Sequence, residues 1–256
     1  MSTWSDRRVG RRWLLTQAGR GALGIAVLGI AACSDSGGTS ARTADPTGEE
    51  AGPAESGTPD KPGGMEWSRV NLGFVSAYVL VRGNEAAVVD TGVGGSAGAI
   101  GEVLDSAGPG WGGVRHVVLT HKHPDHAGSI SDVLAEATSA KGYIGQADLS
   151  EVDAQLSVLG DGDDVFGLQI IGTPGHTAGH ISVFDEDTGV LVAGDALTNE
   201  GQLAGSNPDF TEDEAAAVAS VVKMAGLAPR TILVGHGDPV TDGAAGALQQ
   251  LAASLA

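Results

Sequence analysis

Residues 65–256 are predicted to form a mixed α/β domain, and three observations predict it. Short β-branched apolar runs alternate with stretches of helical period, the pattern of an α/β class. Glycine is abundant, 41 residues in all, so tight turns between those runs come at low steric cost. Three late runs share one form, an apolar strand, then glycine, then a histidine or aspartate: "TPGHTAGH", "LVAGDAL" and "LVGHGDP".

Taken in order, "SAYVLVR" (76–82) and "EAAVVD" (85–90) read as strands joined by a Gly-Asn turn. The glycine loop "TGVGGS" leads into a helix over 97–107. "VRHVVLT" (114–120) is a buried strand by its β-branched content and length, and a helix over 128–136 follows. "KGYIG" is a strand, as are "LQIIGTP" (168–174), "HISVFDE" (180–186) and "GVLVAGD" (189–195). Thr211 is the expected cap of a helix running to Ala225, because "TEDE" places acidic residues in the first turn. "TILVGHG" (231–237) is a last strand, and 242–255 a last helix. No internal repeat is visible.

The first 64 residues are set apart by composition. Arginines at 7, 8, 11, 12 and 20 precede an apolar run, Ala22 to Ala32. That run suits a signal peptide and is shorter than the roughly 20 residues that span a bilayer. Arg11-Arg12 before Trp13-Leu14-Leu15 resembles a twin-arginine export signal. "IAAC" (30–33) resembles a bacterial lipobox, which implies lipidation of Cys33 after removal of residues 1–32. Residues 33–64 hold no apolar side chain larger than alanine beyond that cysteine, so a disordered linker is expected. Together these imply an exported lipoprotein on the extracytoplasmic face of a bacterial membrane, held there by its lipid alone.

Charge and cysteine usage narrow the chemistry. The formal charge is −18, and no lysine or arginine cluster lies beyond residue 20, so nucleic acid is not an expected partner. Cys33 is the single cysteine, which excludes an internal disulfide and a cysteine-rich zinc site. A metal must therefore be held by His, Asp or Glu.

The chain has seven histidines, and "THKHPDHAG" (120–128) holds three of them within six positions. His121 and His123, two apart at a strand end, share one face. Pro124 stops the strand and opens a helical turn carrying Asp125 and His126. An H-x-H-x-D-H spacing of this kind points to metal binding. His176, Asp195 and His236 follow later strands and supply three more ligand-type groups.

These motifs resemble the metallo-β-lactamase superfamily over residues 70 to about 240. The resemblance implies a four-layer αβ/βα sandwich with two metals at one edge. It implies that His121, His123 and His176 hold the first metal, that Asp125, His126 and His236 hold the second, and that Asp195 bridges both. It also matches "VVDTG", making Asp90 an orienting partner of a ligand histidine. Imidazole and carboxylate ligands suit zinc, and also iron or manganese. One such cation lowers the pKa of water from about 15.7 to about 7, and a pair can share the hydroxide while polarising a carbonyl oxygen. By the same resemblance Asp125 doubles as a proton shuttle. His116 and His180 are expected to be structural, and Lys122 to point away from the metals.

Within that family "TPGHTAGH" and "GDAL" look most like glyoxalase II and the lactonases. Asp195 argues against histidine-only β-lactamases, and the lack of a domain cysteine excludes the cysteine-liganded ones. Only 20 residues follow His236, too few for the helical C-terminal domain of glyoxalase II, so no glutathione thioester is assigned. The expected function is a dinuclear hydrolase of a small ester-like bond, lactone or thioester, in a small molecule. The alternatives are a mononuclear iron dioxygenase on the same fold, a β-lactam hydrolase, and a non-catalytic metal-binding lipoprotein. Leu203, Asn207 and Phe210 are the loop residues that stand as candidates for substrate contact.

Overall fold

The computed structural model describes residues 66–255. The expected signal segment, Cys33 and the linker lie outside them.

Six strands form the first sheet, in chain order: β1 (Glu66–Asn71), β2 (Ser76–Arg82), β3 (Glu85–Val89), β4 (Val114–Val118), β5 (Lys141–Gly145) and β6 (Leu156–Leu159). β1 to β3 are antiparallel, and β3 to β6 run parallel. Parallel neighbours need crossovers. These are supplied by α1 (Ala97–Ala107) with the short α2 (Gly110–Gly113), and by α3 (Pro124–Ala127) with α4 (Ile130–Glu136).

The second sheet contains β7 (Asp164–Val165), β8 (Leu168–Gly172), β9 (Ile181–Asp185) and β10 (Val190–Gly194). A separate hairpin, β11 (Leu197–Asn199) with β12 (Leu203–Gly205), leads to α5 (Glu214–Ala225). β13 (Thr231–Val234) then pairs with β10 in parallel, and α6 (Ala244–Leu255) ends the described chain.

Alternation along each strand decides the layering. In β2 and β3, Ala77, Val79, Ala86 and Val88 face α1 and α4 and join Ile100, Leu104 and Val133. Their neighbours Tyr78, Leu80, Ala87 and Val89 point the other way, onto Leu168, Ile170, Val190 and Val192 of the second sheet. That sheet's opposite face, including Leu191, Ala193 and Ile232, packs against Val221, Met224 and Leu248 of α5 and α6. The order is helix, sheet, sheet, helix, which is the expected four-layer sandwich. Among the described residues no helix is long and apolar enough to cross a membrane.

Most sequence-predicted elements stand, and the exceptions have physical causes. The fourth strand stops at Val118 rather than at Thr120, and the helix expected over 128–136 starts at Ile130, separated from the short α3 by Gly128-Ser129. α5 begins at Glu214 with Asp213 as its cap, its carboxylate accepting the Ala216 N–H at 3.0 Å. Thr211 instead donates its hydroxyl to the Asn207 carbonyl at 2.7 Å, so it does not cap the helix. β1, β6, β7, β11 and β12 were not expected, being short, polar or both.

Candidate metal centre

β8 and β10 both run antiparallel to β9, and β13 runs parallel to β10, so β8, β10 and β13 share one direction. Gly172, Gly194 and Val234 therefore close their strands at the same edge, and His176, Asp195 and His236 follow those ends. β4 delivers residues 121–126 in the same way from the first sheet. Carboxyl ends of strands are where open α/β sheets place ligand-binding groups.

Local chemistry shapes the histidine loop. His123 has extended backbone, and its carbonyl accepts the N–H groups of His126 and Ala127, each at 2.9 Å. Pro124 occupies the first helical position, where its missing N–H costs nothing. This single turn swings His126 back over His121, with ring centroids 4.2 Å apart.

All seven sequence-predicted residues come together. Ligand-type atoms of His121, His123 and His176 lie within 4.8 Å of one another, and so do those of Asp125, His126 and His236. Each trio takes two residues from the first half of the fold and one from the second. Asp195 reaches both: Oδ2 is 3.5 Å from His176 Nε2 and 3.2 Å from His236 Nε2, and Oδ1 is 3.2 Å from His126 Nε2. His123 Nδ1 lies 3.0 Å from His121 Nε2 and 2.9 Å from His176 Nε2.

The outward ring nitrogens fix which way the inward ones face. His236 Nδ1–H donates to the Phe74 carbonyl at 2.7 Å, which can only accept. His126 Nδ1–H donates to Asp90 Oδ2 at 2.8 Å. Thr120 donates its hydroxyl to the same Asp90 carboxylate, so it accepts from His121 Nδ1–H at 3.0 Å. Thr211 donates to the Asn207 carbonyl, so Ser206 donates to Thr211, and His176 Nδ1–H donates to Ser206 at 2.9 Å. In each chain the terminal acceptor sets every donor before it. Nε2 of His121, His126, His176 and His236 is left as a lone pair turned into the centre, the form that binds a cation.

The residues fit a pair of cations by a second test. His126 Nε2 and Asp195 Oδ1 are buried without a hydrogen-bond partner although only 3.2 Å separates them. Buried polar atoms left unpaired in this way cost about 1–3 kcal/mol each, unless a ligand takes them up.

Without a cation, electrostatics divide the rings: His126 and His236 take a second proton at Nε2, where a cation would otherwise sit, while His121 and His176 stay neutral. Asp125 and Asp195 hold the His236 imidazole up at about 10, and contact with His236 keeps Asp125 below the usual carboxylate range. Burial opposes a charge on His126, yet Asp195 and Asp90 together raise it well above the ordinary value. Burial pushes His176 down to about 4 and His121 well below its usual value. A pKa raised from about 6.5 means that the His236 proton contributes stability fully below pH 6.5, and that this is lost as pH rises through about 10. Chelator-treated protein is expected to lose urea resistance across that window. Saturating metal, which replaces the proton, should flatten the profile; a metal-free midpoint that does not fall toward pH 10 contradicts this assignment.

Asp90 is the hinge of the network. It is a non-glycine residue at φ 63°, a left-handed conformation that costs about 1–2 kcal/mol. It accepts the Thr120 N–H at 2.7 Å, the Thr120 hydroxyl and the His126 ring, and so orients one histidine of each trio. Asp90→Asn is expected to weaken metal binding by about 10–100-fold, because an amide can present its N–H₂ to His126 and favour the wrong tautomer. Competition with a chromophoric chelator measures it, and unchanged affinity would count against this role.

Several supporting groups escaped the sequence reading. Buried Asp148 accepts from Lys122 N at 3.1 Å, Thr177 Oγ1 at 2.6 Å and Gly179 N at 2.9 Å, tying the two loops of the first trio together. Ser206 and Thr120 carry no signal of their own, since their partners lie elsewhere in the chain. His180 is structural as expected, and its task is specific. Its Nδ1 meets Thr173 at 2.8 Å, and its Nε2 accepts the Asp195 backbone N–H at 3.1 Å. Burial holds it neutral, down to about 3. His116 lies away from the centre, stacked against Tyr143 and Phe166. Lys122 points outward to Glu151 and Glu212, at 2.5 and 2.8 Å. Asn207 and Phe210 line the cavity beside the centre, whereas Leu203 is not among its lining residues.

Comparison with known proteins supports the same reading. A family model described as "Metallo-beta-lactamase superfamily" matches residues 70–158 and 148–236. The chain is 32% identical to a "Probable metallo-hydrolase YflN" of Bacillus subtilis, over 60% of this chain and 76% of that one. It is 31% identical to a hydroxyacylglutathione hydrolase of Methylobacillus flagellatus over 51% of each chain. A solved metallo-beta-lactamase family protein from Thermus thermophilus superposes with a TM-score of 0.59 at 25% identity, covering 76% of this chain and 78% of that one.

Proposed function

Because this chain belongs to the metallo-beta-lactamase superfamily, a family of metal-dependent hydrolases, we propose that its strand-end centre holds two divalent cations and hydrolyses a small ester-like bond, an ester, thioester or lactone. One observation carries this: six donors in two trios face a seventh, Asp195, between them, with four imidazole Nε2 atoms turned inward by fixed hydrogen bonds. His121, His123 and His176 would hold one cation and Asp125, His126 and His236 the other, with Asp195 within reach of both. Nitrogen and carboxylate donors without a thiolate suit zinc, with iron and manganese as alternatives. When bound, the cations supply a water-derived nucleophile at neutral pH and polarise the carbonyl under attack.

The remaining steps belong to the protein. Asp125 has 27% of its side chain exposed against 8% for Asp195, so of the two carboxylates it is the one within reach of a leaving group. As a carboxylate it takes the proton of the attacking water and returns it to the departing alcohol or thiol. The similarity to a hydroxyacylglutathione hydrolase supports a thioester or ester over a phosphodiester. A mononuclear iron dioxygenase would need only two imidazoles and one carboxylate, and the further donors gathered here argue for a second cation.

Elemental analysis of purified protein with a substrate panel tests the proposal. Two zincs per chain and turnover of esters, thioesters or lactones are expected. One iron per chain with oxygen uptake would replace this reading by the oxygenase, and two metals without turnover on any acyl substrate would remove it.

A further inference from the structure

A cavity of about 700 Å³ opens directly off the centre, with His176, Asp195 and His236 in its wall. One side of it is apolar, formed by Ala204 of β12, Ala217, Val218 and Val221 of α5, and Leu251 and Leu255 of α6, while Thr198, Ser206, Asn207 and Thr211 add polar groups nearer the centre. Two phenyl rings, Phe74 and Phe210, also line it while remaining 62% and 65% exposed. Phe74 lies nearly parallel to the His236 imidazole, 14° apart with centroids 6.0 Å distant, so one ring flanks the reaction centre.

Beyond the centre itself, the charges on this wall are of one sign. Glu200 and Glu214 line the cavity, and no lysine or arginine does. Arg69 and Lys122, on segments flanking the centre, are each tied up. Arg69 lies 3.0 Å from Asp238, and Lys122 bridges Glu151 and Glu212. A substrate whose acyl chain ended in a carboxylate or phosphate, away from the centre, would meet these two carboxylates and no lysine or arginine there, an unfavourable pairing. An uncharged chain instead removes apolar surface from water on both sides.

Building on the hydrolase reading, we propose that the groove between β12, α5 and α6 binds the acyl chain of the substrate, and that the enzyme acts on uncharged medium- to long-chain acyl esters, thioesters or lactones rather than on anionic acyl compounds. Water adds at the acyl carbon over the centre and the C–O or C–S bond breaks. The leaving oxygen or sulfur takes the proton, giving a fatty acid and an alcohol or thiol from an ester or thioester and a single hydroxy acid from a lactone.

The test uses zinc-loaded full-length protein with matched acyl esters from acetyl to dodecanoyl, beside a series ending in a carboxylate. Each methylene buried along the groove should raise kcat/KM about three- to four-fold until the groove is filled. Val218→Trp, which fills the groove, should lower the dodecanoyl-to-acetyl ratio at least about tenfold. Leu255→Asp, at an exposed position of α6, should lower it in the same direction and serves if the tryptophan variant does not fold. Calorimetric titration with decanol probes the groove without catalysis, and binding with a negative heat-capacity change is expected. A flat chain-length profile, or a preference for the carboxylate-bearing series, overturns the acyl groove and leaves the hydrolase reading intact. Decanol binding with no turnover at any chain length overturns the hydrolase reading while the groove stands as a binding site.

Discussion

Replacing Asp195 by alanine is expected to bring metal content from two ions per chain to one or none and to lower turnover by about a hundredfold or more. Even outer partners of metal ligands are worth about 10–100-fold, and Asp195 stands against both trios. The loss should not come from unfolding. The backbone N–H of residue 195 keeps its His180 acceptor whatever side chain it carries, and Ala193 and Ala196 on either side are buried in the core beneath α5 and α6. Inductively coupled plasma analysis, steady-state kinetics and circular dichroism on one preparation separate the two effects. A variant that keeps two metals and near-native turnover would show that Asp195 does not bridge.

The second large effect is expected from a position with no side chain. A Cβ built on Gly235 would overlap Asp195 Oδ1 and lie 2.6 Å from His126 Cε1. His126 is locked by Asp90, and His180 holds only the backbone of residue 195, so the group that must give way is the Asp195 carboxylate. Residue 235 cannot withdraw, because its N–H donates to Gly194 and its carbonyl accepts from Ser76. Gly235→Ala should therefore displace the bridging carboxylate, lower occupancy of the second cation and reduce turnover about 10–100-fold. Overpacking should cost about 1–3 kcal/mol of stability as well. Equilibrium dialysis against zinc and a urea titration check both. Full occupancy with native stability would mean that the edge is more pliable than its hydrogen bonds indicate.

How much of this was legible in the sequence depends on the distance over which each feature is encoded. Of the strands that carry the centre, β10 is a continuous apolar run with every residue of Val190–Gly194 buried, and β4 could be read from its valines on either side of the half-buried Arg115 and His116. The histidine loop was equally plain because its spacing is local. The edge strand Glu66–Asn71 was missed because "EWSRVN" is mostly polar and lies half-exposed beside β2. β11 and β12, three residues each, give periodicity too little to work on. Thr211 looked like a cap because it precedes acidic residues, but its hydroxyl is drawn into the Ser206 relay. The groups that set the imidazole tautomers, such as the Phe74 carbonyl 162 positions from His236, meet their partners only after folding. The cavity wall is likewise assembled from a hairpin and two helices that show no common motif.

Each trio spans the seam between the two halves of the sandwich, with two donors on one side and one on the other. Any cation seated there is also a rivet. Its coordination energy adds to the cohesion of the sheets, so loss of metal would slacken the joint as well as silence the chemistry.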